Sequence, residues 1–308
     1  PKTAYSHLDA IPKKIKLEDE LPTLIDETRE NVHGEEEPYL IFNNVGAWPV
    51  QRTADRKQDA VYIEVWPPYD RYASIAQLIR DARTYARDDK SIILAAYLKP
   101  FREGKREKAL PAAKLLMGSI VSNGATHLLT GENQTALTQG YYSDYTKFSD
   151  SEAEAIRRYY DYMIRYENLF FDPELQDVTM THTGWDNYEY QCTSHKVSSY
   201  GEAGKIWMIL REKDYRKCIY LLNLCGQSED YWNEGKEEPN IQKDIKFTVQ
   251  VDTPVEKICF STPDGENMDA IELSFTERAT KTGKFIDFTV PSLNYWTTIW
   301  IDTRKETI

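Results

Sequence analysis

The sequence predicts an α/β unit followed by an all-β unit, and three observations carry that expectation. Apolar, β-branched runs alternate with amphipathic stretches from residue 17 to about 170, which is the rhythm of βα units and of a parallel sheet. After Phe171-Asp172-Pro173 the pattern changes to short alternating runs separated by Gly, Pro and charged turns, the signature of an antiparallel β-sandwich. The change of period puts a boundary near residue 175, dividing the chain into residues 1–175 and 176–308.

In order along the first unit, residues 18–31 read as a helix and residues 39–44 as an apolar strand ending in Asn43-Asn44. The run Val61-Tyr62-Ile63-Glu64-Val65 reads as a second strand, which Trp66-Pro67-Pro68-Tyr69 stops, since proline cannot continue a ladder. A helix follows near residues 73–87, a strand at 91–98, a helix at about 109–122 and a strand at 127–130. Ser149 followed three residues later by Glu152 is a capping box that opens a last helix reaching about Asn168. Four strands cannot close a barrel. Either a smaller open sheet forms, or the chain carries the C-terminal half of a (β/α)8 barrel whose first half precedes Pro1. In the second unit, strands are expected near residues 205–212, 217–224, 245–251, 256–261, 271–276, 284–290 and 296–302.

Composition narrows the function classes. A formal net charge of −12 over 308 residues argues against nucleic acid as a partner, because phosphate backbones demand a basic footprint. No apolar run approaches the length of a membrane span, so no membrane partner is expected. Seven Trp and 21 Tyr suit neutral, flat-faced ligands such as carbohydrate. Cys192, Cys218, Cys225 and Cys259 show no CxxC or zinc-type spacing with His, and they read as buried thiols. No phosphate loop, dinucleotide fingerprint, HExxH or GxSxG motif occurs, so neither a cofactor nor a metal is expected. A chain that opens on Pro1 is expected to start inside a longer protein, which leaves secretion undecided.

Chemistry is sought at the C-terminal ends of the strands, where barrel enzymes build their sites. Glu64 closes one strand and shares a face with Tyr62, while Ile63 and Val65 point the other way. The other strand ends offer Asn43, Asn44 and Trp48, then Trp66 and Tyr69, then Tyr97 and Lys99, then Glu132. Each has a bland alternative as turn former, core aromatic, solvated charge or loop carboxylate. Their coincidence at four strand ends is what singles them out.

Those stretches resemble glycoside hydrolase family 66, the dextranases and cyclodextran-forming glucanotransferases. The resemblance rests on Asn43-Asn44-Val45-Gly46-Ala47-Trp48-Pro49, on Tyr62-Ile63-Glu64-Val65-Trp66-Pro67-Pro68-Tyr69 and on Asn123-Gly124-Ala125-Thr126-His127-Leu128-Leu129-Thr130-Gly131-Glu132. Phe288-Thr289-Val290-Pro291-Ser292-Leu293 with Tyr295-Trp296-Thr297 resembles the ending of the family's β-domain. The resemblance implies barrel strands five to eight, a retaining attack on the α-1,6 bonds of dextran or isomaltooligosaccharides, and Glu64 as acid/base. It also implies an Asp nucleophile upstream of Pro1, in the missing N-terminal half, since Asp9 stands in a different context. This chain alone is then expected to be inactive, and the parent protein to be extracellular or at the cell surface. The short span between Leu98 and His127 has no room for the inserted carbohydrate-binding module that the resemblance implies for the glucanotransferases, so an endo-acting dextranase is the expectation. A cyclodextran-forming glucanotransferase and a non-catalytic glucan-binding fragment are the alternatives.

Overall fold

The computed structural model describes residues 3–5, 14–34, 38–87, 90–140, 146–184 and 186–304. Strands β1 (Thr3–Tyr5) and β2 (Lys14–Lys16) form a small antiparallel ladder that leads directly into α1 (Leu17–Asn31). Glu18, Asp19 and Glu20 fill the first turn of α1, where carboxylates complement the exposed N–H groups of a helix start.

A parallel sheet in the order β3-β4-β5-β6 is built from β3 (Ile41–Val45), β4 (Ala60–Glu64), β5 (Ser91–Ala95) and β6 (Thr126–His127). Between its strands lie α2 (Val50–Thr53), α3 (Tyr72–Ala86) and α4 (Ala109–Ser122), and α5 (Asp150–Arg165) and α6 (Glu167–Phe170) follow. Val61, Ile63, Val65, Ile92 and Leu94 point to the helix side and share one core with Ile75, Ile79, Leu116 and Ile120. The register aligns Asn43, Tyr62, Ile93 and Thr126 on the opposite face. Asn43 is exposed and the other three are partly so, because no helix of the described residues covers that side.

The capping box at α5 forms as the sequence predicts: Glu152 N–H donates to Ser149 Oγ at 3.3 Å and Ser149 N–H to Glu152 Oε2 at 2.7 Å. The strand expected at 127–130 is shorter. Leu128 N–H still donates to Leu94 O across the sheet at 2.9 Å, but from Leu129 the chain folds back on itself, with Leu137 N–H donating to Leu129 O at 2.8 Å and Thr130 bridging Ala136, so those carbonyl and amide groups leave the parallel ladder.

The switch to antiparallel pairing falls between α6 and β7 (Gln176–Asp177), which pairs with β10. One sheet runs β14-β13-β17-β11-β10-β7, with β9 (Val197–Ser198) alongside β10. It comprises β10 (Ile206–Lys213), β11 (Arg216–Asn223), β13 (Val255–Ser261), β14 (Ile271–Glu272) and β17 (Trp296–Thr303). The other runs β15-β16-β12-β8, from β8 (Tyr190–Cys192), β12 (Gln242–Val251), β15 (Phe275–Thr280) and β16 (Gly283–Leu293). The single strand expected over 271–276 is instead two, because the chain leaves one sheet after Glu272 and enters the other at Phe275.

Ile206, Met208, Ile219, Ile299 and Ile301 meet Phe247, Val249, Ile286 and Phe288 between the sheets. Residues of the opposite parity, Trp207, Ile209, Tyr220, Leu222, Trp296 and Trp300, belong to the core shared with the helices. The larger sheet is therefore buried on both faces, and its helix contact is close. A Cβ on Gly118 of α4 would stand 2.7 Å from Leu222 Cδ2 and 3.1 Å from Trp296 Cγ. At the junction Arg211, 3% exposed, donates to the carbonyls of Phe170 and Leu175, so a buried cation satisfies the last carbonyl of α6 and one in the segment that follows it.

Candidate active site

Glu64 ends β4 because alternation from Tyr62 carries it onto the open face while Val61, Ile63 and Val65 anchor the strand in the core. Its neighbour on β5 is Ala95, a side chain too small to cover it. Two residues further along that chain Tyr97 returns to the same side and its hydroxyl donates to Glu64 Oε1 at 2.9 Å. Trp66 does likewise from the turn after β4, its indole N–H donating to Oε2 at 3.1 Å. The carboxyl group is thus gripped at both oxygens by neutral donors and left 6% exposed. Tyr62, two residues before Glu64 on the same strand face, stands half-buried on the open side. Burial raises the phenols of both tyrosines above their ordinary values, which keeps them protonated donors.

Loops close on this cluster from several sides. Gly46 N–H, just past β3, donates to Glu64 O at 2.9 Å. Gly140 lies against the Trp66 and Tyr97 rings, whose centroids are 6.0 Å apart at 56°, and a Cβ there would stand 2.8 Å from Trp66 Cζ2 and 3.2 Å from Tyr97 Cε2. The turn Trp66-Pro67-Pro68-Tyr69 is tied to the β-sandwich: the Trp232 indole donates to Tyr69 O at 2.7 Å, Trp232 N–H to Asp70 O at 3.1 Å and Tyr72 N–H to Asp230 O at 3.1 Å.

The other residues expected at the site divide. Asn43 is exposed on the open face in register with Tyr62, and Trp48 and Tyr69 are half-buried beside the loops after β3 and β4. Asn44 points to the helix side, fully buried, where it donates to Tyr62 O at 2.9 Å and accepts from Thr53 Oγ1 at 2.6 Å, binding β3, β4 and α2 together. Lys99 pairs with Glu234 of the sandwich, and its backbone N–H donates to Asn233 Oδ1 at 2.9 Å. Glu132 is exposed in the short 3-10 turn Glu132–Gln134. Asp9 lies outside the described residues. The two-residue spacing already put Tyr62 on the face of Glu64, whereas Gly140 joins the cluster without having been singled out and leaves no mark in the sequence. Among the described residues no group of His, Cys, Asp and Glu is placed to hold a metal ion, and no second carboxylate joins the hydrogen bonds of Glu64.

A solved Paenibacillus sp. cycloisomaltooligosaccharide glucanotransferase, complexed with cycloisomaltoheptaose, has the same fold, with a TM-score of 0.83 at 15% identity over 94% of this chain and 59% of that one. Two curated cycloisomaltooligosaccharide glucanotransferases of Niallia circulans are 28% identical over 193 residues and 26% identical over 191, or 62% and 61% of this chain. The chain spans only 19% of the length of each. The model of glycosyl hydrolase family 66 matches residues 4–300.

Proposed function

The chain belongs to glycosyl hydrolase family 66, and from that premise we propose that it supplies the acid/base half of a retaining site that cleaves the α-1,6 bonds of dextran. The parallel sheet is read as the second half of a (β/α)8 barrel, its open face completed by a preceding half that carries the Asp nucleophile. The observation that supports this reading best is the placement of Glu64: a carboxyl at a parallel strand's C-terminal end, facing the open side, held at both oxygens and rimmed by aromatic rings.

In such a site two carboxyl groups stand about 5–5.5 Å apart. The nucleophile attacks the anomeric carbon while the Glu64 carboxyl gives its proton to the departing glycosidic oxygen, forming a glycosyl ester and a free sugar hydroxyl. Glu64, now a carboxylate, then takes a proton from water as that water displaces the ester and releases the nucleophile. Trp48, Trp66 and Tyr69 offer flat faces to pyranose C–H surfaces, and Asn43 offers an amide to hydroxyls. By itself the chain binds glucan without cleaving it. A polymeric substrate of this kind also places the parent enzyme outside the cell or on its surface.

The relatives' names favour a second reading, in which a sugar hydroxyl replaces water in the second step and the product is cyclic. Against it, β5 and β6 are joined only by short 3-10 turns, Lys99–Phe101 and Arg106–Lys108, and α4, with no module between them. Cyclic rather than linear isomaltooligosaccharides from the full-length enzyme would decide for the transferase.

Glu64→Gln in the full-length enzyme keeps the shape of the side chain and removes proton transfer. Dextran cleavage is expected to fall about a hundred- to ten-thousandfold with an unchanged melting temperature, and release of an acidic phenol from an activated substrate to fall less in the first step. Near wild-type dextran cleavage would remove Glu64 from this role.

A further inference from the structure

We propose that the sandwich loop of residues 229–237 forms an outlying glucan subsite on the rim of the cleft, with Tyr231 as its stacking platform and Lys236 as the residue that holds the platform in position. The proposal rests on the reading of Glu64 just given and adds where a longer sugar chain is gripped.

Two adjacent aromatic residues of the loop are put to opposite uses. Trp232 is 3% exposed and anchored in the helix-side core, whereas Tyr231 is 37% exposed. Tyr231 forms a β-bridge with Arg71, the residue before α3. A helix that follows a parallel strand starts at that strand's C-terminal end. Tyr231 therefore stands at the same end of the sheet as Glu64, beside the turn that carries Trp66 and Tyr69. The Arg71 guanidinium lies 4.4 Å from the centroid of the Tyr231 ring, donates to its hydroxyl at 2.8 Å and pairs with Asp230. The ring is thus fixed before any sugar arrives. A flat ring that need not be ordered on binding suits the C–H face of a pyranose.

Lys236 accounts for the fixed backbone beneath that ring. Its side chain is fully enclosed, which is costly for an ammonium unless its N–H groups find acceptors. They find Glu229 Oε1 at 2.6 Å, Tyr231 O, and Glu234 O at 3.2 Å. The other oxygen of Glu229 accepts from Tyr231 N–H at 2.6 Å, so both backbone groups of Tyr231 are tied to one buried ion pair. Lys236 N–H donates to Lys108 O at 3.1 Å, and a Cβ on Gly235 would stand 2.9 Å from Lys108 Cβ, which seats the loop closely on the segment before α4. None of these bonds involves Glu64. The contribution of the loop is to binding and not to proton transfer.

The test measures kcat and KM of the full-length enzyme on isomaltotetraose, on longer linear isomaltooligosaccharides and on dextran. Dextran binding is read separately, by affinity electrophoresis of the Glu64→Gln protein with and without a second substitution. Tyr231→Ala is expected to raise KM on dextran and weaken its retention about tenfold with kcat held, and to leave isomaltotetraose within about twofold. Tyr231→Phe keeps the platform and is expected to keep the wild-type KM. Lys236→Met releases the backbone of Tyr231 and is expected to raise the same KM, while Tyr231→Ala, at an exposed position, keeps the test independent of how well that buried variant folds. An unchanged KM on dextran in Tyr231→Ala, or equal losses on short and long substrates, would overturn the subsite. Full dextran activity in Glu64→Gln would instead overturn the underlying functional reading, so the two failures are separable.

Discussion

The parallel sheet and the larger antiparallel sheet differ in how many faces they bury. Every residue of β17 is buried, because Ile299 and Ile301 point into the sandwich core while Trp296 and Trp300 point into the helix core. In β4, Val61 and Ile63 are as deeply covered as those residues, but Tyr62 on the other side is only half so. A sheet closed on both faces has spent its side chains on cohesion. One left open keeps a face on which side chains are not committed to a helix core, and there Glu64 is held by Tyr97 and Trp66 instead of by packing, while the closed sheet supplies the rigid backing. The two are joined by α4 and α5 and by the loop of residues 229–237 that grips the turn after β4.

The largest effect on stability is expected where the closed sheet meets the helices. Trp296 is fully buried, its ring 4.9 Å from that of Tyr162, 5.2 Å from Phe170 and 5.9 Å from Tyr159. Trp296→Ala opens a cavity at that seam, and a loss of about 3–5 kcal/mol is expected, read from urea unfolding. A loss under about 1 kcal/mol would mean that the helices do not depend on this sheet for their core.

A second experiment asks whether the helix face of the parallel sheet is as dry as the closed sheet. His127 lies on that face beside Leu94 and is 1% exposed. Its Nε2 is 2.9 Å from Ala96 O, and since a carbonyl only accepts, Nε2 carries the proton. Nδ1 is buried and has no hydrogen-bond partner among the described residues. Burial pushes the imidazole down from its ordinary 6.5 to about 4. Between those values the unfolded chain binds a proton that the folded chain refuses, so stability rises with pH across the window and is lost as pH falls from 6.5 toward 4. The contribution is about 3 kcal/mol. His127→Gln retains a donor for Ala96 O and is expected to flatten that slope in unfolding measured at a series of pH values. An unchanged slope would mean that water reaches Nδ1.

Much of this was legible in the sequence, for identifiable reasons. β-branched runs with period-two alternation marked β3, β4 and β5 and put Tyr62 and Glu64 on one face. The capping box marked the start of α5, and Phe171-Asp172-Pro173 marked the change of sheet type. What escaped depends on contacts between residues distant in sequence. The fold-back of Leu129 onto Leu137 shortens β6, the crossing at Leu273-Ser274 divides a strand-like run between two sheets, and Gly140 matters only because Trp66 and Tyr97 lie against it. Asn44 has an amide that suits either a sugar or a neighbouring backbone, and only the register of β3 on β4 turns it to the helix side.

Lys99 offers the smallest effect and the most direct contrast with its near neighbour Tyr97. Alternation along β5 assigns both residues to the side of Glu64, but the strand ends at Ala95 and Lys99 opens a 3-10 turn, Lys99–Phe101, so a period of two no longer gives its direction. Its ammonium pairs with Glu234, the two side chains being 39% and 51% exposed. A pair so exposed contributes about 0–1 kcal/mol, and the backbone bond from Lys99 N–H to Asn233 survives any substitution of the side chain. Lys99→Met keeps most of the aliphatic stem and removes the charge. Stability is therefore expected to change by less than about 1 kcal/mol, and kcat/KM on dextran in the full-length enzyme to stay within about twofold, or roughly 0.4 kcal/mol of transition-state stabilisation. A hundredfold fall in kcat/KM with stability intact would place the ammonium on the substrate and return Lys99 to the cleft.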